Sequence, residues 1–407
     1  MMSLYQGHKA IKVPKNTTTW DIDPYSKEVL LDPEGFFSAL REKGPFVYLN
    51  KYKMLACGRY KETKEVFSDH KRFVSSRGVG IQDFKLEKPW RPPSLVLEVD
   101  PPEHTRNRRF LTQALSPNKI ATLKVFFKNC ADKLIKELLQ KKEIDGISDL
   151  AEIFPTKVFP EAVGLKKIDK ETLLGYGAMV FNALGPDNEF RKDAMAKGLS
   201  VLEKINKQCL EENIDAKGLA KEIYRNTADI SEEDNLAGML VRSLLSAGID
   251  TTVSAIGNLL WCFSKNPEQF RLLKNDKSLI GNAVEESLRL TSPVKAFCRT
   301  SAVETEVSGI VMEEGTKILC VLGSANTDPE FWNNPYKYDV TRRTIGHLAL
   351  GVGVHNCVGQ TLARAEIVAL ASSLIERVKS IKPIGEAVWK PNNAMRSLER
   401  LPIILEA

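Results

Sequence analysis

The sequence predicts a mainly α-helical fold, a large helical domain with a minor β-sheet region, and three observations carry that expectation. The first is the stretch "SEEDNLAGMLVRSLLSAGIDTTVSAIGNLLWCFSKNP", with Ser231 placed as an N-cap, acids at 232 to 234 in the first turn and Pro267 beyond the end. It reads as one helix of about 30 residues, roughly 45 Å at about 1.5 Å per residue, long enough to cross a domain. Arg242 and Asp250 interrupt its apolar run, which favours a core helix over a membrane span. The second is helical periodicity elsewhere, near residues 103 to 115, 120 to 141, 199 to 212, 277 to 290 (stopped by "TSP") and 358 to 379. The third is the scarcity of strand signals, confined to "MLACGRY" after "FVYLNKYK" and to the turn-punctuated "TEVSGIVMEEGTKILCVL", Thr305 to Leu322.

A chain of 407 residues, 43% hydrophobic and 27% charged, can bury a large core. No linker, low-complexity tract or repeat divides it, so residues 1–407 are expected to form a single domain. Seven cysteines without any CxxC and only five histidines argue against a disulfide framework or structural zinc. Residues 1 to 30 lack the apolar core of a signal peptide, and the expectation is a soluble, cytoplasmic monomer with no membrane partner. The net charge of +6 is too small an excess to argue for nucleic acid; at most it supplies a basic patch for an acidic partner.

Chemistry enters at "HLALGVGVHNCVGQ", His347 to Gln360, which sets Cys357 among Gly351, Gly353 and Gly359. A lone cysteine is usually a small core residue. A thiolate buried against a metal, however, needs donors aimed at the sulfur, and bare backbone lets amides and a flat ligand approach it. A helix starting at Val358 would add its N-terminal amides, an arrangement suited to a thiolate on haem iron.

The pattern L-G-x-G-x-H-x-C-x-G, followed by "LAR" at 362 to 364, resembles the haem-binding loop of cytochrome P450 enzymes, and the resemblance extends from about Asp21 to Leu405. It implies the cytochrome P450 fold and haem b with Cys357 as axial ligand, beside Gly351 and Gly359. In "EESLRL", Glu286 and Arg289 stand one helical turn apart; the resemblance implies a buried structural pair locked by a later arginine, Arg342 in "YDVTR". "AGIDTT", Ala247 to Thr252, places weak helix formers inside a helix. One reading is a bend with a threonine bonding back to its own backbone. The resemblance implies the oxygen-activating groove, with Ala247 against the haem, Gly248 leaving room for dioxygen, Thr251 donating to it and Asp250 feeding protons inward. In "DPPEHTRNRRF", His104 and Arg108 share a helical face; with Arg299 and His355 they match the family's contacts to the haem propionates, which need cationic or hydrogen-bonding partners. Leu350 departs from the usual phenylalanine, so an apolar shield for the sulfur survives with altered packing.

For the substrate, Ser243, Ala247, Asp250 and Thr251 are expected on one face of the long helix, with about 12 Å between Ser243 and Thr251. Arg242, beside Ser243 in an apolar segment, calls for an anion. Arg91 and Ser94 lie in "KPWRPPSLVLEVDPPEH", which reads equally as a surface loop or as a roof over the site. "RGVGIQDFKLEKPWRPPS", "YGAMVFNALGP" and "VRSLLSAGIDTT" resemble the bacterial branch that oxidises para-substituted benzoic acids. That resemblance implies a carboxylate held by Arg91, Ser94, Arg242 and Ser243, with apolar walls from Leu97, Phe181, Leu184, Ala247, Val294 and Phe297. Such clamping would present a para substituent to the iron. O-demethylation of a para-methoxy acid is the expected reaction, para-alkyl hydroxylation the next. Leu184 stands where relatives place an aromatic ring, which leaves a roomier pocket.

With no flavin or iron–sulfur motif in the chain, a ferredoxin and an NAD(P)H-dependent ferredoxin reductase are the implied electron donors, with O2 as co-substrate. A peroxide-driven acid peroxygenase on the same fold is the alternative, disfavoured by the intact Asp250–Thr251 pair. A non-catalytic haem protein or a cysteine hydrolase belongs to another class, and His355 is too near Cys357 in sequence to act as a hydrolase base.

Overall fold

The computed structural model describes residues 4–166, 168–230 and 235–407. The expected N-cap Ser231 and the acids at 232 to 234 lie outside the described residues. From Leu236 onward the apolar stretch is helical, but it is two segments, Leu236–Gly248 and Asp250–Lys265, interrupted at Ile249. The expectation of one unbroken helix is thereby corrected. At the break the hydroxyls of Thr251 and Thr252 donate to the carbonyls of Ala247 and Gly248, at 2.6 and 2.8 Å. Those carbonyls would accept amides in an uninterrupted helix, so hydroxyl competition accompanies the interruption.

By length and composition Leu236–Lys265 could cross a bilayer. Instead Leu240, Val241, Leu245, Ile256 and Leu260 are each buried in the largest apolar core together with Phe154, Phe159 and Leu288. The first segment packs on the helices Lys170–Asn182 and Leu219–Asn226, the second on Ile280–Thr291. The central helix therefore threads between layers, which is why its sequence is apolar nearly all round.

The other expected helices form with shifted ends. Glu103–Ala114 agrees within a residue, and Pro117–Leu138 starts earlier because Pro117 takes the N1 position, where its fixed φ suits a first turn. Glu189–Gln208 begins ten residues before the expected start, capped by Asn188, whose Oδ1 accepts the Arg191 amide at 3.0 Å. Ile280–Thr291 ends at Ser292, at φ 44°, just before Pro293. Gln360–Arg377 packs along Pro117–Leu138 through Leu362, Leu370 and Leu374 against Phe127 and Ile135.

The strand signals are realised in a six-stranded sheet ordered Thr18–Trp20, Val47–Leu49, Met54–Cys57, Lys317–Val321, Ala296–Ser301, Phe73–Val74. Within Thr305–Leu322 a hairpin, Thr305–Val307 with Ile310–Met312, precedes the sheet strand. Lys317–Val321 pairs antiparallel with Ala296–Ser301, Ile318 opposite Arg299. The two-residue period then places Phe297 and Arg299 on one face, and both line the cavity described next.

Candidate functional site

The cysteine loop is a tight reversal. The Gly351 amide donates to Leu348 O at 2.9 Å and the Cys357 amide to Leu350 O at 2.8 Å. Gly351 and Gly353 sit at φ 71° and 74°, in the left-handed region that side chains disfavour. A Cβ at Gly353 would also come within 3.0 Å of Ser68 Cα. The following helix starts at Gln360, two residues later than expected, so the backbone amide that favours the thiolate, that of Gly359, belongs to the turn. Burial pushes the Cys357 thiol up, while the Gly359 amide, Arg108 and Arg364 act in the other direction.

Above the loop lies a large cavity with about 1700 Å³ of empty space, part of it open to solvent. Leu350, Gly351, Cys357 and Gly359 line one side; Ala247, Gly248, Thr251 and Thr252 of the interrupted helix line it too. Arg108, Arg299 and His355 border it as well. Arg299 is 2% exposed, donates only to Cys298 O at 2.9 Å, lies over the Phe67 ring and has no carboxylate partner among the described residues. Arg108 donates to Asn356 O and Oδ1, both at 2.6 Å.

The two histidines are brought together, ring centroids 4.3 Å apart. His104 has both ring nitrogens buried without a partner, and burial, with His355 and Arg108 nearby, pulls it down to about 4. His355 Nδ1 is likewise unpartnered, while Nε2 faces Asp100 Oδ1 at 3.3 Å. Burial works to raise Asp100, but His355, Ser75 and Ser76 hold its carboxyl well below the usual range. Buried donors that lack acceptors are costly. Two carboxylates on a flat macrocycle are what this donor set fits, so the residues present suit haem.

The sequence profile of the family described as Cytochrome P450 matches residues 32–161 and 180–405. The chain belongs to the cytochrome P450 family. Cytochrome p450 CYP199A2 of Rhodopseudomonas palustris is 45% identical to it over 387 residues, covering 94% of this chain and 93% of its own. Cytochrome P450 107B1 of Saccharopolyspora erythraea is 32% identical over 313 residues, 76% of each. The solved structure of cytochrome P450 CYP109Q5 from Chondromyces apiculatus is similar at TM-score 0.78 and 28% identity, covering 95% of this chain and 98% of that one. The protein is accordingly a monooxygenase of the type that carries haem on a cysteine thiolate.

In this cytochrome P450, Glu286 and Arg289 are both fully buried and doubly bonded, Nε to Oε2 at 2.7 Å and Nη2 to Oε1 at 2.9 Å. Arg342 Nε adds a third bond to Oε1 at 2.8 Å. Arg289 reaches on to Asn326 O at 2.7 Å, and Asn326 Oδ1 accepts the Leu348 amide at 2.7 Å. The ion triad thus connects to the start of the cysteine loop.

Two sequence expectations change on the distal side. Ser243, Ala247 and Thr251 line the cavity, but Asp250 does not; its carboxyl packs on the Lys170–Asn182 helix at Gly177, where a Cβ would come within 2.7 Å of Asp250 Cγ. A face drawn from 243 to 251 assumes continuity, which the break at Ile249 removes. Burial pushes the Asp250 carboxyl up to about 6, Lys390 opposing and Glu152 reinforcing. Gly248 borders the cavity, yet the place of its missing Cβ is filled by Phe159, whose ring atoms would lie 2.2 Å away.

The far end of the cavity is polar. Ser94 Oγ donates to Ser243 Oγ at 3.2 Å, uniting residues distant in sequence, and Arg91 borders the cavity beside them. Arg242 does not line it; its Nη2 donates to Pro92 O at 3.0 Å. Leu97, Phe181, Leu184, Val294 and Phe297 all do, and the Ile81 amide pins Leu184 O at 2.9 Å. Sequence reasoning missed Glu98, which pairs with Arg91 at 3.0 Å, and Phe159. Glu98 lies in a loop without periodicity, so only its distance from Arg91, one acid after a lone arginine, could have pointed to it.

Proposed function

We propose that this monooxygenase oxidises a small aromatic carboxylic acid at its para substituent, by O-demethylation of para-methoxybenzoate-type acids, with para-alkyl hydroxylation second. The observation that carries this reading is the chemistry of one end of the cavity: Arg91 and Ser94 with Ser243, backed by Arg242, beside apolar walls. Buried guanidiniums and paired hydroxyls recognise an anion, and the walls Leu97, Phe181, Leu184, Ala247, Val294 and Phe297 accept a flat ring. The sequence likeness of "RGVGIQDFKLEKPWRPPS", "YGAMVFNALGP" and "VRSLLSAGIDTT" to the benzoate-oxidising branch supports the same substrate class, Leu184 being a departure.

Bound haem supplies dioxygen activation and transfer of one oxygen atom. Cys357 is the residue that would hold it, between Gly351 and Gly359, with Arg108, Arg299, His104 and His355 as donors to its propionates. Thr251 Oγ, now bonded to Ala247 O, has only to rotate to present its hydroxyl to the cavity. Asp250, held up to about 6, is poised to gain and lose a proton near neutrality, and to feed that hydroxyl its side chain has to turn from Gly177 toward the cavity. Electrons come from a ferredoxin and its NAD(P)H-dependent reductase, and the chain works as one domain.

Titration of the haem-loaded protein with 4-methoxybenzoate and with 4-methoxybenzamide, followed by the low-to-high spin shift, tests the anchor. The acid is expected to bind at least about tenfold more tightly, a difference that one uncompensated buried charge supplies easily. Arg242→Ala narrows it. Equal binding of acid and amide overturns the reading.

A further inference from the structure

Glu98 is 3% exposed and lies against the proposed anchor, not against solvent. Its Oε2 accepts Arg91 Nη1 at 3.0 Å and the Ser94 amide at 2.8 Å, so one carboxylate fixes both the cation and the hydroxyl-bearing residue of the loop. Arg91 Nη1 also donates to Pro92 O at 2.9 Å, the carbonyl that accepts Arg242 Nη2 at 3.0 Å. Two buried guanidiniums therefore meet at one carbonyl, and a single carboxylate accompanies them. Arg242 has no carboxylate partner among the described residues. The neighbouring Tyr176 phenol and Cys209 thiol are pushed up by burial, the thiol to about 12, and both are neutral. The count is two positive charges and one negative.

We infer that Glu98 sets the anchor at one net positive charge and thereby makes the enzyme select monoanionic acids over neutral and dianionic analogues. This rests on the carboxylate-anchor reading and goes beyond it. A monoanion closes the charge balance. An amide leaves one buried cation uncompensated, and a dianion leaves one buried anion uncompensated; either is costly in a site that water does not reach freely. Without Glu98 the same loop would carry two net positive charges and suit a phosphonate or a dicarboxylate. Glu98 is thus a specificity-determining residue that need not touch the substrate.

Spin-shift titration of the haem-loaded protein tests this with three probes: 4-methoxybenzoate, 4-methoxybenzamide and 4-methoxyphenylphosphonate. The phosphonate is kept doubly ionised at about pH 9, above the second ionisation of phosphate-type groups near 6. Four proteins are compared: wild type, E98Q, R91Q and R91Q/E98Q. Wild type is expected to favour the benzoate over both other probes, and E98Q to lower the phosphonate-to-benzoate Kd ratio by about tenfold or more, since one negative charge within a few ångströms is removed and the anchor then carries two net positive charges. R91Q, with no net charge, loses benzoate affinity by a similar factor. R91Q/E98Q restores most of it, because one net positive charge returns through Arg242; a merely structural role for Glu98 predicts a further loss instead. Should E98Q fail to retain haem, the comparison of R91Q with R91Q/E98Q carries the test. An unchanged phosphonate ratio in E98Q, or no recovery in the double variant, overturns the inference while benzoate still outbinds benzamide in wild type. If benzoate and benzamide bind wild type equally, the anchor reading itself has failed.

Discussion

Replacing Glu286 by glutamine removes the anion from a triad that the fold encloses completely. Four donors converge on its carboxylate: Arg289 Nε at 2.7 Å and Nη2 at 2.9 Å, Arg342 Nε at 2.8 Å and the Asp339 amide at 3.2 Å. Glutamine keeps one acceptor oxygen and turns the other site into a donor facing a donor. Arg342 retains bonds to Asn333 O and Asn334 O and has some contact with solvent, so the loss falls on Arg289, which is wholly buried. Breaking one buried pair costs about 3–5 kcal/mol, a large part of a total stability of about 5–15 kcal/mol. The damage is expected to reach the site, because Arg289 holds Asn326, Asn326 holds the Leu348 amide, and Leu348 O holds Gly351. Urea unfolding followed by circular dichroism and by the Soret band measures the first effect. The ratio of Soret to protein absorbance, with the carbon monoxide spectrum of the reduced protein, measures the second. E286Q is expected to lose about 3 kcal/mol and much of its thiolate-ligated haem. A variant within about 0.5 kcal/mol of wild type, the range of an ordinary surface change, with full haem content, would refute the claim that the triad supports the cysteine loop.

Cys357→Ala is expected to abolish the long-wavelength carbon monoxide band of the reduced protein, and a normal band in that variant would assign the ligand elsewhere. Asp250→Asn is expected to slow ferredoxin-driven turnover about 100-fold or more, the usual worth of a positioned proton donor, while leaving benzoate binding intact. It also carries a sign in pH. The folded carboxyl lies near 6, above its ordinary value, so the native state holds that proton more tightly and loses stability as pH rises through about 4 to 6. The gain in unfolding free energy of Asp250→Asn over wild type therefore grows from pH 4 to pH 7, and a flat difference contradicts the raised carboxyl. Gly248→Ala forces a methyl group onto the buried Phe159 ring and is expected to cost about 1–3 kcal/mol, read as a lower urea midpoint. Leu184→Phe fills the cavity from a pinned backbone, so spin-shift titrations should show bulky para-alkyl benzoates losing affinity relative to 4-methoxybenzoate.

What the sequence made legible was what depends on local pattern. The helix Glu103–Ala114 and the hairpin and strand within Thr305–Leu322 follow from periodicity and turn residues, and both appear nearly where expected. The convergence of Cys357, Arg108, Arg299 and His355 on one cavity came from motif order, since nothing in spacing alone joins residues so far apart. The break at Ile249 was legible only as one of two readings of "AGIDTT", the bend with a threonine bonding back to its own backbone, because the competition between hydroxyl and amide is decided by packing. The departure of Asp250 from the cavity followed from that break. Glu98 escaped because a loop residue has no period, and its meaning lies wholly in a partner seven residues away in a fold the loop does not announce.

The contact between Phe159 and Gly248 joins two positions into one constraint. A side chain gained at 248 presses on the ring at 159, so across related sequences the two sites are expected to change together. An engineer who wants a larger chamber above the cysteine would therefore trim Phe159, because the glycine is already as small as a residue can be.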